Sequence, residues 1–137
     1  MSITGGSVFG YFAYQAMQMV LHDPYYVEHA ASCVVHYLEA NNNRWPTSWD
    51  DLRRANPDRI ISGPFSIEVL EQNVIIDWNA SPSVLAHAKL RDDDQPPFRV
   101  IWLRNGKSIY WSSTEPNRSI WEYLQKHKDR LPQIKPE

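Results

Sequence analysis

His29, Cys33 and His36 stand at i, i+4 and i+7 of a segment with helical spacing, which gathers two imidazoles and a thiol on one narrow helix face. Imidazole nitrogen and thiolate sulfur are ligands that zinc takes, and a neighbouring imidazolium lowers a thiol's pKa toward the reactive thiolate. Each adjacent pair, His29 with Cys33 and Cys33 with His36, could share an ion. The outer two lie about 10 Å apart along the axis at 1.5 Å per residue, which makes chelation of one ion by all three awkward. The competing reading buries Cys33 as a small hydrophobe and turns both histidines toward solvent.

A second candidate is the run Asp92, Asp93, Asp94, since calcium takes carboxylate and carbonyl oxygens from loops; its spacing is not that of a recognised calcium loop, and a solvated acidic turn is the alternative. Trp45, Trp49, Trp78, Trp102, Trp111 and Trp121 could stack a sugar or a base. Each also falls on an expected core stripe or helix boundary, where packing is the simpler role. The sequence contains no phosphate-binding glycine loop, no nucleophile elbow and no His-Glu-x-x-His pattern.

The elements that must hold these residues are bounded by composition. A chain of 137 residues is one domain long and can bury a single core. Fourteen basic and sixteen acidic residues are scattered along it, giving a net charge of -2 with no basic stripe, which argues against nucleic acid as a partner. A lone cysteine excludes an internal disulfide and a cysteine-rich zinc site. Six Trp and seven Tyr suit a core of few, bulky side chains.

Residues 1–22 carry no charged side chain, and Val8 to Leu21 is apolar apart from Gln15 and Gln18. A membrane span needs about 20 largely apolar residues, and a secretory signal needs a basic start. The segment is therefore expected to be a helix presenting Phe9, Tyr11, Phe12 and Tyr14 to the domain, a partner or a second copy, with contact at a membrane surface through residues 8–21 as the alternative. Asp23 and Pro24 read as a cap and first position of a separate helix, whose apolar residues Val27, Ala30, Val34, Tyr37 and Leu38 recur at helical spacing to Ala40. Asn41 to Asn43 can take the left-handed conformations that end a helix, and Pro46 biases Trp45 toward an extended backbone. Thr47 or Ser48 then caps a short helix that runs to about Ala55, burying Trp49 and Leu52, with Asp50 and Asp51 in its first turn. Pro57 ends it.

Phe65, Ile67 and Val69 alternate with polar residues, Glu71 to Asn73 make a polar break, and Val74 to Trp78 follow, a pattern that predicts a β-hairpin. Ser81 and Pro82 open either a short helix through Leu90 or an extended edge. Residues 92–97 form a loop. Asn105-Gly106 between Phe98–Arg104 and Lys107–Trp111 predicts a second hairpin with a two-residue type I′ turn. In that register Trp102 faces Ile109 and Val100 faces Trp111 on the core side, while Ile101 and Tyr110 share the other. Ser119 with Glu122 forms a capping box opening a last helix whose Ile120, Leu124, His127 or Lys128, and Leu131 positions form a stripe.

The stretch Val35-His-Tyr-Leu-Glu-Ala-Asn-Asn-Asn-Arg-Trp-Pro-Thr-Ser-Trp-Asp-Asp-Leu52 resembles the start of the globular head of type II secretion pseudopilins and type IV pilin-like proteins, bacterial subunits in which a long helix ends in an aromatic-rich segment. Tyr37, Asn42, Arg44, Trp45, Pro46, Ser48, Asp51 and Leu52 occupy matching positions. The basic leader, cleavage glycine and glutamate-bearing apolar helix of that family do not precede Asp23, and its Asp-Pro-Trp-Gly turn is missing after the small helix, so the resemblance implies a detached, pilin-like head. It also implies a cell-envelope setting, where a chain outside the family would be cytoplasmic, and it points to Asp92, Asp93 and Asp94 for calcium. The expected fold is α+β, with N-terminal helices on an antiparallel sheet of about four strands and a C-terminal helix. The expected function is a non-enzymatic, protein-interacting or self-associating domain; the alternative is a small ligand- or metal-binding protein or enzyme using the His29, Cys33, His36 face.

Overall fold

The computed structural model describes residues 5–55, 66–93, 98–107 and 115–131, with side chains from Asp23 onward. One helix, α1, runs from Gly5–Ala40 with Pro24 inside it. The separate start expected at Asp23 does not occur: a proline lacks one backbone donor and strains one turn, and here the helix continues through it. Val27, Ala30, Ala31, Val34 and Leu38 make a buried stripe, with Cys33 beside it. The helix ends as its asparagines dictate. Asn42 and Asn43 adopt φ of 54° and 60°, the Asn43 amide donates to the Leu38 carbonyl at 2.8 Å, and the Asn41 side chain donates to the Tyr37 carbonyl at 2.9 Å.

Trp45 and Pro46 follow, both buried, and the Trp45 indole N–H donates to the Asp77 carbonyl at 2.8 Å, tying the turn to the sheet. Helix α2, Trp49–Ala55, is capped in both directions: Ser48 Oγ accepts from the Asp51 amide at 3.3 Å, and the Asp51 carboxylate accepts from the Thr47 hydroxyl at 2.7 Å and the Thr47 amide at 2.8 Å. Those bonds from Thr47, with Arg54 adding to them, hold the Asp51 carboxyl below its usual range. Trp49 and Leu52 face inward as expected. Pro57 lies outside the described residues.

The first predicted hairpin is replaced by a helix. Ile67–Asn73 forms α3, with Ser66 Oγ accepting from the Val69 amide at 3.2 Å, and the polar residues read as a break are its last turn. Ile67, Leu70 and Val74 are buried, a spacing of three and four that the segment carries alongside its two-residue alternation. Phe65 lies outside the described residues. Val74–Ile76 is β1, as expected, but it pairs antiparallel with β2, Ile101–Leu103, in the register Val74 to Leu103, Ile75 to Trp102 and Ile76 to Ile101.

On β2 the core face is corrected in part: Val100 is buried as expected, but Ile101 and Leu103 are buried as well, whereas Trp102 is half-buried, with the Arg99 guanidinium 5.5 Å from its ring centroid. A turn fixes register along a hairpin, but α1 fixes which face is covered, since β2 packs on it. The Gly106 amide donates to the Leu103 carbonyl at 3.0 Å and Gly106 has φ of 74°, while Asn105 is not in the left-handed region that a type I′ turn requires of both central residues. Asn105 instead turns its side-chain oxygen onto the Lys107 amide at 2.9 Å. Ile109, Tyr110 and Trp111 lie outside the described residues.

Ser81 caps α4, Pro82–His87, which settles the choice of helix over extended edge and ends it short of Leu90. Helix α5, Pro116–Lys126, begins ahead of the Ser119 box because Pro116 takes the first position and Glu115 caps, accepting from the Arg118 amide at 3.1 Å. Ile120 and Leu124 are buried against α1, Leu131 packs on the same core, and Lys128–Arg130 forms a terminal 3-10 turn. The class is α+β, five helices with a two-stranded antiparallel sheet among the described residues, where about four strands were expected.

So small a sheet leaves backbone groups to satisfy, and Asn117 does this. Only 5% exposed, its Oδ1 accepts from the Val100 and Ile101 amides at 2.8 and 3.1 Å, and its Nδ2 donates to the Ile101 carbonyl at 3.1 Å and to Glu115 Oε1 at 2.7 Å. Asn117→Leu keeps the bulk and strands three buried backbone groups; it should cost about 3 kcal/mol or more and lower the thermal midpoint by roughly 10 °C, read by circular dichroism. Pro24→Ala tests the continuous helix: restoring a donor inside α1 should raise stability by about 1–3 kcal/mol, whereas loss of stability would show that a helix starts there.

Candidate functional site

Burial separates the three side chains that opened the sequence reading. Cys33 is 2% exposed, packed in the core and engaged in no disulfide, while His29 and His36 sit half-buried at the surface of α1. The His29 ring lies 6.4 Å from that of Tyr25, at an interplanar angle of 35°. Among the described residues no group of three or more His, Cys, Asp and Glu side chains is arranged to hold a metal ion. Asp92 and Asp93 are exposed in a turn, with Asp93 paired to Arg91 at 3.5 Å, and Asp94 lies outside the described residues. The side chains of Phe9, Tyr11, Phe12 and Tyr14 also lie outside them, although their backbone belongs to α1.

The tryptophans are used for joining elements. Trp45 and Trp49 are buried, and Trp49 meets Trp78 edge to face at 5.5 Å and 82°. Trp121 is half-buried and donates its indole N–H to the Ala88 carbonyl at 2.8 Å, tying α5 to the end of α4. Trp111 lies outside the described residues.

Two concave features lie instead along the seam of α1 and α5, on either side of Tyr123. One, of about 460 Å³, is lined by Glu28, Ala31, Ser32, Val35, Pro116, Ser119 and Tyr123. The other, of about 260 Å³, lies at the end of α1 and is lined by Glu39, Asn42, Asn43, Tyr123, His127 and Arg130. The Tyr123 hydroxyl donates to Asn43 Oδ1 at 2.6 Å, across 80 residues of sequence, and the His127 ring stacks on that of Tyr123 at 4.2 Å. Burial, and then the Glu39 carboxylate, push the Tyr123 phenol above its ordinary pKa. None of these side chains was singled out from the sequence as a site. Asn42 and Asn43 read as a helix stop, Asn42 also as a position of the family resemblance, and the available signal for a site was Tyr123 and His127 sharing a helix face at i and i+4.

Among the described residues no helix is long and apolar enough to cross a membrane. Compared with known proteins, the chain matches no protein-family model, no curated protein and no solved structure. The placement of Cys33 has a direct chemical consequence: in the folded protein a maleimide should label it only as fast as α1 opens, at least about 100-fold slower than in denaturant, because a core thiol is reached through partial unfolding. Rapid labelling of the native protein, followed by mass spectrometry, would restore the thiol reading.

Proposed function

We propose that this chain is a non-enzymatic interaction domain built like a pseudopilin or type IV pilin head, with α1 serving as both spine and docking helix. The supporting observation is the length and continuity of α1. Thirty-six residues at 1.5 Å each make a rod of about 54 Å. A compact body of about 100 residues has a radius of gyration near 13 Å and is roughly 35 Å across, so the rod is longer than the body it braces. Its later part carries the buried stripe from Val27 to Leu38, on which the body packs. Its earlier part carries Phe9, Tyr11, Phe12 and Tyr14 without a charge in residues 1–22.

The aromatic-proline turn supports the same reading. In the stretch from Val35 to Leu52 that carries the family resemblance, the left-handed asparagines stop α1, Trp45 anchors to the sheet and the doubly capped α2 returns along α1. A helix braced this firmly at one end can present its other end to a protein partner or to a second copy. Each Å² of apolar surface buried there contributes about 25 cal/mol before the entropic cost of association.

Light scattering coupled to size exclusion, on the full chain over a range of concentrations, tests this. The mass of the unmodified protein should rise with concentration, and Phe9→Ser with Phe12→Ser should return it to that of a monomer with an unchanged thermal midpoint. A concentration-independent monomer that the double substitution destabilises would place those rings in the core and remove the docking role.

A further inference from the structure

The cavity of about 260 Å³ at the end of α1 has features that packing alone does not explain. Asn43 is 7% exposed. Its backbone amide is spent on the Leu38 carbonyl and its Oδ1 on the Tyr123 hydroxyl, but among the described residues nothing accepts from its Nδ2. An amide donor facing a cavity must find its acceptor there, in water or in a ligand that displaces the water. Glu39 and Arg130 line the same cavity, both exposed, and among the described residues neither forms an ion pair, with the other or with any third group. Two opposite charges facing one concavity without meeting leave room for a ligand that carries both.

The remaining wall fits that ligand. His127 Nδ1 lies 2.8 Å from the Tyr123 carbonyl, which can only accept, so Nδ1 carries a proton and the ring is held against Tyr123. The last carbonyls of α1 add their negative end of the helix dipole on the Glu39 side, favouring a cation there. A plain anion would meet Glu39 and that dipole; a plain cation would meet Arg130. We infer that this cavity binds a small zwitterion of the α-amino acid kind, with its carboxylate on the Arg130 guanidinium and Asn43 Nδ2 and its ammonium on Glu39. Arginine's planar fork suits a carboxylate, and the cavity is on the scale of a molecule this small. None of the lining residues belongs to the aromatic segment at residues 8–21, so this site stands or falls independently of the docking role.

The experiment is a nitrogen-15 NMR titration of the full chain with glycine, acetate and methylammonium, each to about 10 mM, following the Asn43 side-chain amide and Arg130 Nε signals. Glycine should shift both saturably with a Kd of about 1 mM. Glu39→Gln and Arg130→Gln, at exposed positions that leave the thermal midpoint unchanged, should each weaken glycine by tenfold or more, while acetate and methylammonium bind less well than glycine. The inference is overturned if glycine leaves those signals in place, if acetate or methylammonium binds as tightly as glycine, or if neither substitution changes the affinity.

Discussion

The body is held by one stripe of one helix. Val27, Ala30, Ala31, Val34 and Leu38 present small and branched side chains along α1, and α2, α3, both strands and α5 all pack on that helix. Small residues at Ala30 and Ala31 allow close approach, and Val34 and Leu38 fill the layer below. Every other element here is short, the strands three residues each and α2 and α3 seven, so none could persist in water without that surface. The order of dependence is therefore clear: α1 first, then the turn that ends it, then the elements the turn returns to it.

Side chains complete what so little regular structure leaves open. The ladder between β1 and β2 is extended by the Asp77 amide to the Val100 carbonyl at 2.8 Å and the Arg104 amide to the Asn73 carbonyl at 2.9 Å. Beyond it, Asn117 stands in for a neighbouring strand and the Trp45 indole takes the Asp77 carbonyl. Arg53 joins α2 to α3 by reaching Asp50, Glu68 and Glu71. The three pairs are solvent-exposed and contribute little each, whereas the buried amide bonds of Asn117 have no water to replace them.

The two functional proposals fall at the two ends of α1, and the helix itself explains why. At its start an uncharged aromatic run extends a rod that the body braces. At its finish the left-handed asparagines carry the chain away from the axis, which opens a concavity between the last turn of α1 and the last turn of α5. Tyr123 fills the middle of the seam and bonds Asn43, so the geometry that ends the helix also shapes the cavity.

By itself the sequence determined the features that depend on a few neighbouring residues. The stop at Asn41 to Asn43, the inward Trp49 and Leu52, the Ile120 and Leu124 stripe and a strand that starts at Val74 all follow from local φ preferences, caps and spacing. Tertiary structure decided whatever turns on a competition between two local signals or on a distant partner. Asp23-Pro24 is a good helix start and also a tolerable interruption; Ile67 to Val69 fits a strand and a helix; Ser119 with Glu122 is a capping box, yet Glu115 and Pro116 offer an earlier one. In each case the free energies of the local alternatives lie within about 1–3 kcal/mol, and packing chooses. The cavity was least legible, because Asn43 and Tyr123 are 80 residues apart and only the docking of α5 on α1 brings their side chains together.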